Sequence, residues 1–356
     1  MYSVLMAAIA NAALENKWEG GFEFIGASDV TLFEASVTNI FEIRGWEGSA
    51  NLTYNRTGID YQPVDFDFQG EAVNRNENAI AFQVNGRRAI GERWTLLSGA
   101  GAYDGYTNYR SVWLDEYFHQ QYAGLGNIPG FDTYEVAHPK GVNVSTGARW
   151  EYRPASGFAE LTVSWLGDEV SPGYEIDFDG LVRGPDKLGS FAAALSFENV
   201  LTKNMRSRVA LSTVKTTDRE VRLGLHGALN VALSERLIAR FEAGAATESP
   251  QFDSFFGNVS IEYEISPAVA VFASARYYED TGEIENALLF SSSAPGMDSR
   301  QAGAGMRWIG DDWSARLFVA PIRVDYEPTN PDTDFFQNLY KDREWTVVQF
   351  AFGRSF

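Results

Sequence analysis

The chain has no cysteine and only three histidines among its 356 residues. Without thiols there are no disulfides, no thiolate metal sites and no cysteine nucleophiles. Long hydrophobic runs are also missing. No apolar stretch approaches the roughly 20 residues that a membrane-crossing helix needs, although 45% of the residues are hydrophobic. Basic charge is scarce: 29 Lys and Arg against 48 Asp and Glu leave a formal net charge of −19. A surface that binds nucleic-acid phosphates must be basic, so nucleic acid is not an expected partner.

What is present is alternation. In "REVRLGLHGALNVAL", Val221, Leu223, Leu225, Leu229, Val231 and Leu233 share one phase, while Glu220, Arg222, His226 and Asn230 share the other. "RLIARFEAGA" sets Leu237, Ala239, Phe241 and Ala243 against Arg236, Arg240 and Glu242. "FFGNVSIEYEI" sets Phe255, Val259, Ile261, Tyr263 and Ile265 against Asn258, Ser260, Glu262 and Glu264, and "WSARLFV" sets Trp313, Ala315, Leu317 and Val319 against Ser314 and Arg316. Side chains on a strand point to opposite faces at period two. Each segment therefore reads as a strand of about ten residues with one greasy and one polar face.

The connections alternate as well. Short ones rich in Gly, Pro, Ser or Asp fall near Gly45–Gly48, Gly91–Arg93, Pro154–Gly157, Thr202–Met205, Ser234–Arg236, Ser266–Ala268 and Gly310–Asp312, as tight turns require. Long ones cover roughly 57–77, 107–140, 167–187, 280–299 and 325–343, and they gather acids such as Asp168, Glu169, Glu175, Asp177 and Asp179. Seven short turns imply about sixteen strands, with fourteen and eighteen as the neighbouring counts. A water-soluble sandwich uses shorter strands, about 5–6 residues. A sheet this wide must close to remove its edges, and in a bilayer closure is compulsory. The expected fold is all-β: a closed antiparallel transmembrane β-barrel. Trp94, Trp150, Trp165, Trp308, Trp313 and Trp345 fall near strand ends, where an aromatic girdle would lie.

The last strand, "EWTVVQFAFGRSF", puts Val348, Phe350, Phe352 and Phe356 on one face and Val347, Gln349, Ala351, Gly353 and Ser355 on the other. It resembles the C-terminal signature of Gram-negative outer-membrane β-barrel proteins. The resemblance implies that Phe350, Phe352 and Phe356 form the signal read by the outer-membrane insertion machinery. Arg354 departs from that pattern, because its phase is the lipid face; so near the rim, that charge costs little. No motif of a known porin, lipase, protease or metal-chelate transporter accompanies the signature, so the resemblance names no subfamily. At the other end, "MYSVLMAAIANAALENK" looks like the second half of an export signal with A-x-A spacing. Residues 1–13 are therefore expected to be a signal-peptide remnant and 14–356 a single barrel domain in the outer membrane.

The polar phases carry the functional expectation. Arg149, Arg206, Arg208, Glu220, Arg222, His226, Arg236, Arg240, Glu242, Glu262, Arg276, Arg307 and Arg316 all read as lumen-lining. Sixteen strands leave room for a channel, whereas about eight are filled by side chains. Charges on such a wall either pair to fill the lumen or line a passage and set its ion preference. A porin-like channel for small polar or ionic solutes is the leading expectation. A closed structural or partner-binding barrel is the alternative, and an envelope hydrolase a third. His226, with Ser212 and Ser260 on neighbouring strands, is the site such a hydrolase would use, but no G-x-S-x-G elbow is present. His119 and His138 bracket one long loop without metal-ligand spacing. No cofactor is expected, although divalent cations suit the acidic external loops. The oligomeric state stays open.

Overall fold

A strand that is greasy on one face and polar on the other leaves both of its backbone edges open. In the computed structural model every such edge is paired. It describes residues 16–61, 73–106, 112, 139–170, 174–177, 180–183, 186–217, 219–249, 252–282, 296–327 and 342–356. The first seven strands are β1 (Asn16–Gly26), β2 (Val30–Ile43), β3 (Trp46–Tyr61), β4 (Val73–Ile90), β5 (Trp94–Gly105), β6 (Lys140–Arg153) and β7 (Gly157–Val170). A small separate hairpin follows, β8 (Tyr174–Asp177) with β9 (Gly180–Arg183). Then come β10 (Asp186–Thr202), β11 (Met205–Thr216), β12 (Val221–Ala232), β13 (Leu237–Glu248), β14 (Phe252–Ser266), β15 (Val269–Asp280), β16 (Met297–Ile309), β17 (Trp313–Tyr326) and β18 (Arg343–Ser355). All but the hairpin form one closed barrel of sixteen antiparallel strands, each beside its sequence neighbour, with β18 returning to pair with β1.

The strands run from 11 to 18 residues, longer than the ten their alternation suggests. Alternation marks only the part in contact with lipid, about 9–11 residues. The ladder continues beyond it because pairing still satisfies the backbone. The long connections shrink accordingly, for example to 62–72 in place of 57–77. The seven expected short turns are all present, at two to four residues each, on one rim. The turn between β2 and β3 consists of Arg44 (φ 51°) and Gly45 (φ 76°). Two consecutive residues with positive φ make the turn whose twist matches the paired strands.

Directly opposite residues of an antiparallel pair share a face, so the registers fix which side chains look outward. One such row reads Trp18, Asn39, Ala50, Val84, Ala100, Val144, Trp165 and Phe191. Leu223, Leu225, Phe241, Val259, Ile261 and Val319 also face out, exposed and apolar. An apolar belt of this kind is at home in hydrocarbon. At the short-turn rim Trp94 stacks on Trp150 with ring centroids 6.0 Å apart, and Trp313 stacks on Phe352 at 6.3 Å. Trp165 lies farther along the outer face, opposite Val144 and Phe191. Trp345 departs from the girdle: it takes the inward phase of β18 and donates from Nε1 to Asp29 Oδ2 at 3.2 Å.

The seam between β1 and β18 closes the barrel. Phe22 lies 5.8 Å from both Phe350 and Phe352, and the Phe356 N–H donates to the Trp18 carbonyl at 2.7 Å. The Arg354 charge on the lipid face is answered by Asp312 in the preceding short turn, with Nη2 to Oδ2 at 2.9 Å. Residues 1–13 of the expected export signal lie outside the described residues.

Two measurements check this architecture. Folded protein in detergent should give a β-dominated circular dichroism spectrum and migrate differently on a gel before and after boiling; a helical spectrum would sink the fold. Leu225 faces out near the middle of β12. Leu225→Arg should cost about 2–4 kcal/mol in vesicle refolding, as charges do at the bilayer midplane. The inward Ala228→Arg should cost far less.

Candidate functional site

The inward phases build the lumen wall. From β6, β11, β12, β13, β15, β16 and β17, arginines project inward and most meet a carboxylate on a nearby strand. Arg149 Nη1 lies 3.7 Å from Glu160, Arg206 Nε 2.7 Å from Glu198, and Arg222 Nη2 2.9 Å from Glu248. Glu262 accepts from two arginines at once, Arg240 at 3.2 Å and Arg307 at 2.5 Å, and so ties β13, β14 and β16 together. Half-exposed pairs in water contribute little, about 0–1 kcal/mol each. The Arg222–Glu248 pair differs because Glu248 is buried, 4% exposed. Removing its partner would leave an uncompensated charge.

Inward-facing phenylalanines hold several of these guanidinium groups flat. Arg149 lies over Phe158 at 4.1 Å from the ring centroid, Arg222 over Phe252 at 4.3 Å, and Arg316 over Phe272 at 4.5 Å. Stacking holds the guanidinium plane while leaving its N–H edges free to donate. Phe272 also stacks on Phe318 at 5.8 Å, and with Ala320 the two rings form a small buried apolar cluster on the lumen side. Gly305 makes room for it: a Cβ there would sit 2.4 Å from the Phe272 ring.

The other sector of the wall has a different chemistry. Between β1 and β5 the mid-wall positions are Glu23, Glu34, Asn51, Thr53, Gln83 and Asn85. Asn51 Nδ2 donates to Thr38 at 2.8 Å, Thr53 donates to Asn51 Oδ1 at 2.6 Å, and Gln83 donates to Asn85 at 3.1 Å. The arginines of this sector, Arg75 and Arg87, stand near the ends of β4 and pair with Glu77 and Glu47. The lumen is thus divided lengthwise into a guanidinium-rich side and a carboxylate–amide side. A cavity of about 1450 Å³ runs along β11 to β18, lined in part by Arg208, Glu242, Asn258 and Arg276.

Most of the residues read as lumen-lining from the sequence take the inward phase: Arg149, Arg206, Arg208, Arg222, His226, Arg240, Glu242, Glu262, Arg276, Arg307 and Arg316. Two do not sit on a strand. Glu220 lies in the connection before β12, and Arg236 in the short turn before β13, exposed at the rim. In both cases the sequence alternation runs past the strand end, and a turn does not preserve the phase. Arg208, Arg276 and Arg316 have no carboxylate in ion-pair distance among the described residues. His226 stacks on Phe256 at 5.8 Å and has no hydrogen bond to Ser212 or Ser260, so no nucleophile–base pair is assembled there. His119 and His138 lie outside the described residues, as do most of 107–140 and of the other acidic loops. Among the described residues no three acidic or imidazole side chains converge as a metal site.

No protein-family model matches this chain, and no curated protein sequence does either. Solved structures share its shape. CdiB from Acinetobacter baumannii superposes with a TM-score of 0.57 at 8% identity over 96% of this chain, which spans 60% of the CdiB chain. A bacterial polysaccharide outer-membrane secretin superposes with a TM-score of 0.52 at 8% identity, over 97% of this chain and 100% of that one. At such identity the likeness is one of fold. That fold is a closed antiparallel β-barrel, and the apolar belt on the outer face of this one suits hydrocarbon.

Proposed function

We propose that the protein is a porin-like channel for passive diffusion of small polar or ionic solutes. The observation that carries this reading is the inner wall: charged, amide and hydroxyl side chains of the described residues face the lumen that sixteen strands enclose. Selectivity then follows from wall charge, as in other charged pores. Arg208 and Arg276 matter most for this, since neither makes an ion pair among the described residues and both line the same cavity. Purified protein in a planar bilayer should conduct. Arg208→Gln with Arg276→Gln should move the reversal potential in a salt gradient toward cations. These variants orphan no carboxylate, so the barrel should keep its stability. A conducting double variant with an unmoved potential would take those arginines off the path.

A second reading has its own observation. Tyr106 and Val112, at the start of the longest connection, are 2% and 0% exposed, and Arg75 lies over the Tyr106 ring at 5.6 Å. Tyr106 packed beside Arg75, an inward residue near the start of β4, favours a plugged structural or partner-binding barrel. The same bilayer experiment decides between them, because a plugged barrel passes no steady current.

For assembly, we infer that the insertion machinery reads Phe350, Phe352 and Phe356. Phe356 is 72% exposed, more than any other large apolar side chain among the described residues. Phe356→Ser should lower outer-membrane levels several-fold, while Ser355→Ala, on the lumen phase, should leave them unchanged. Equal levels for the two variants would count against the signal.

A further inference from the structure

One cross-strand row of the lumen wall joins the two chemical sectors. Following the registers, it reads Arg307, Arg316, Ala351, Glu23 and Glu34 on β16, β17, β18, β1 and β2. Two guanidinium groups and two carboxylates face the lumen along a single line, separated by one alanine. Neighbouring strands lie about 4.8 Å apart, so the backbones bearing Arg316 and Glu23 are about 10 Å apart. The next row toward the short-turn rim is Ser314, Gly353, Gly21 and Ser36. Its side chains are too small to fill the space in front of it. The result is a recess of about 670 Å³ bordered by Arg307 and Arg316 on one side and by Glu19, Glu23 and Glu34 on the other.

The polar groups of the recess are only partly used. Arg316 rests on the Phe272 ring with no carboxylate in reach among the described residues. Arg307 spends Nη2 on Glu262, while its buried Nε has no acceptor. Glu23 accepts one hydrogen bond from Gln349, and Glu34 has no hydrogen-bond or ion-pair partner among the described residues. Opposite charges this close would normally meet, as they do elsewhere on this wall. Here β18 carries only Ala351 between them, and Arg316 is held on the Phe272 ring of β15, on the side away from Glu23.

We propose that this recess binds small zwitterions of amino-acid or dipeptide size. Arg316 and Arg307 would receive the carboxylate and Glu23 and Glu34 the ammonium. A carboxylate matches the planar fork of a guanidinium, and an ammonium can donate three hydrogen bonds to carboxylate oxygens. A singly charged solute satisfies one side and leaves the other facing its own uncompensated charge. The proposal rests on the reading of the barrel as a solute channel and names the solute class at one station on its path.

The test is binding to the folded full chain in detergent, by saturation-transfer NMR, with alanine and alanyl-alanine against propionate and ethylamine. Each single-charge analogue lacks one charge-assisted contact and should bind at least about tenfold more weakly than the zwitterions. Arg316→Gln and Glu23→Gln should each weaken zwitterion binding by a similar factor. Glu34→Gln serves as the second acid variant if Glu23→Gln fails to show the folded gel mobility. Propionate binding as tightly as alanine would make this a plain anion site and overturn the proposal. So would the absence of zwitterion binding, or binding untouched by the variants. Conductance in potassium chloride is measured alongside. A channel that conducts without binding zwitterions sinks this inference alone, and binding without conductance sinks the channel reading alone.

Discussion

Inside a bilayer no water is available to satisfy a backbone N–H or C=O, and every other feature of this protein follows from that shortage. A sheet with an open edge is forbidden, so β18 must find β1, and the sixteen strands must agree on register all the way round. Register in turn fixes faces. Once Trp18 looks outward, the row through Asn39, Ala50 and Val84 does so as well, and the charged phases have nowhere to go but the lumen. The polar interior is thus a geometric consequence of closure combined with period-two sequence. What the sequence remains free to choose is which polar residues stand where.

That choice is uneven in a way that shapes the interior field. Carboxylates answer five of the eight inward arginines on β6 and β11 to β17, and Glu262 answers two of these. Inward phenylalanines then hold the guanidinium groups flat, so that Arg149, Arg222 and Arg316 are held against the wall instead of extending across the lumen. Such stacking contributes about 0.5–2 kcal/mol where solvent is partly excluded. Its larger effect is to keep charge at fixed positions. A wall built this way presents a patterned potential with little side-chain entropy left to lose.

Most of the architecture was legible in the sequence, because alternation and turn chemistry are local. The seven short turns, the strand number and the outward phase of residues such as Leu225, Phe241 and Val319 all come from stretches of a dozen residues. The lumen was legible only in part. Phe272 sits in "VAVFASARYY", where apolar residues occupy both phases, so periodicity could not turn it inward; only its register opposite Glu262 and Gly305 does. Glu198, Glu160 and Glu248, the partners of three arginines, sit on strands consecutive with those of their arginines, yet only the register of each strand pair shows which side chains meet. The small hairpin β8–β9 is four residues per strand, too short for any period to show. Glu220 and Arg236 mark the converse error, a phase extended past the end of its strand.

The two rims differ in how much change they can absorb. On the short-turn rim every connection has two to four residues, and the Arg44–Gly45 turn already demands positive φ twice in succession. One inserted residue there has no slack to enter. It would slide a strand by one position and exchange its greasy face for its charged one. On the opposite rim, connections such as 62–72 and 106–139 can lengthen or shorten at an entropic cost that grows only slowly with length. Variation in length is therefore channelled to one end of the barrel, and with it the freedom to acquire new contacts while the wall and its charge pattern stay as they are.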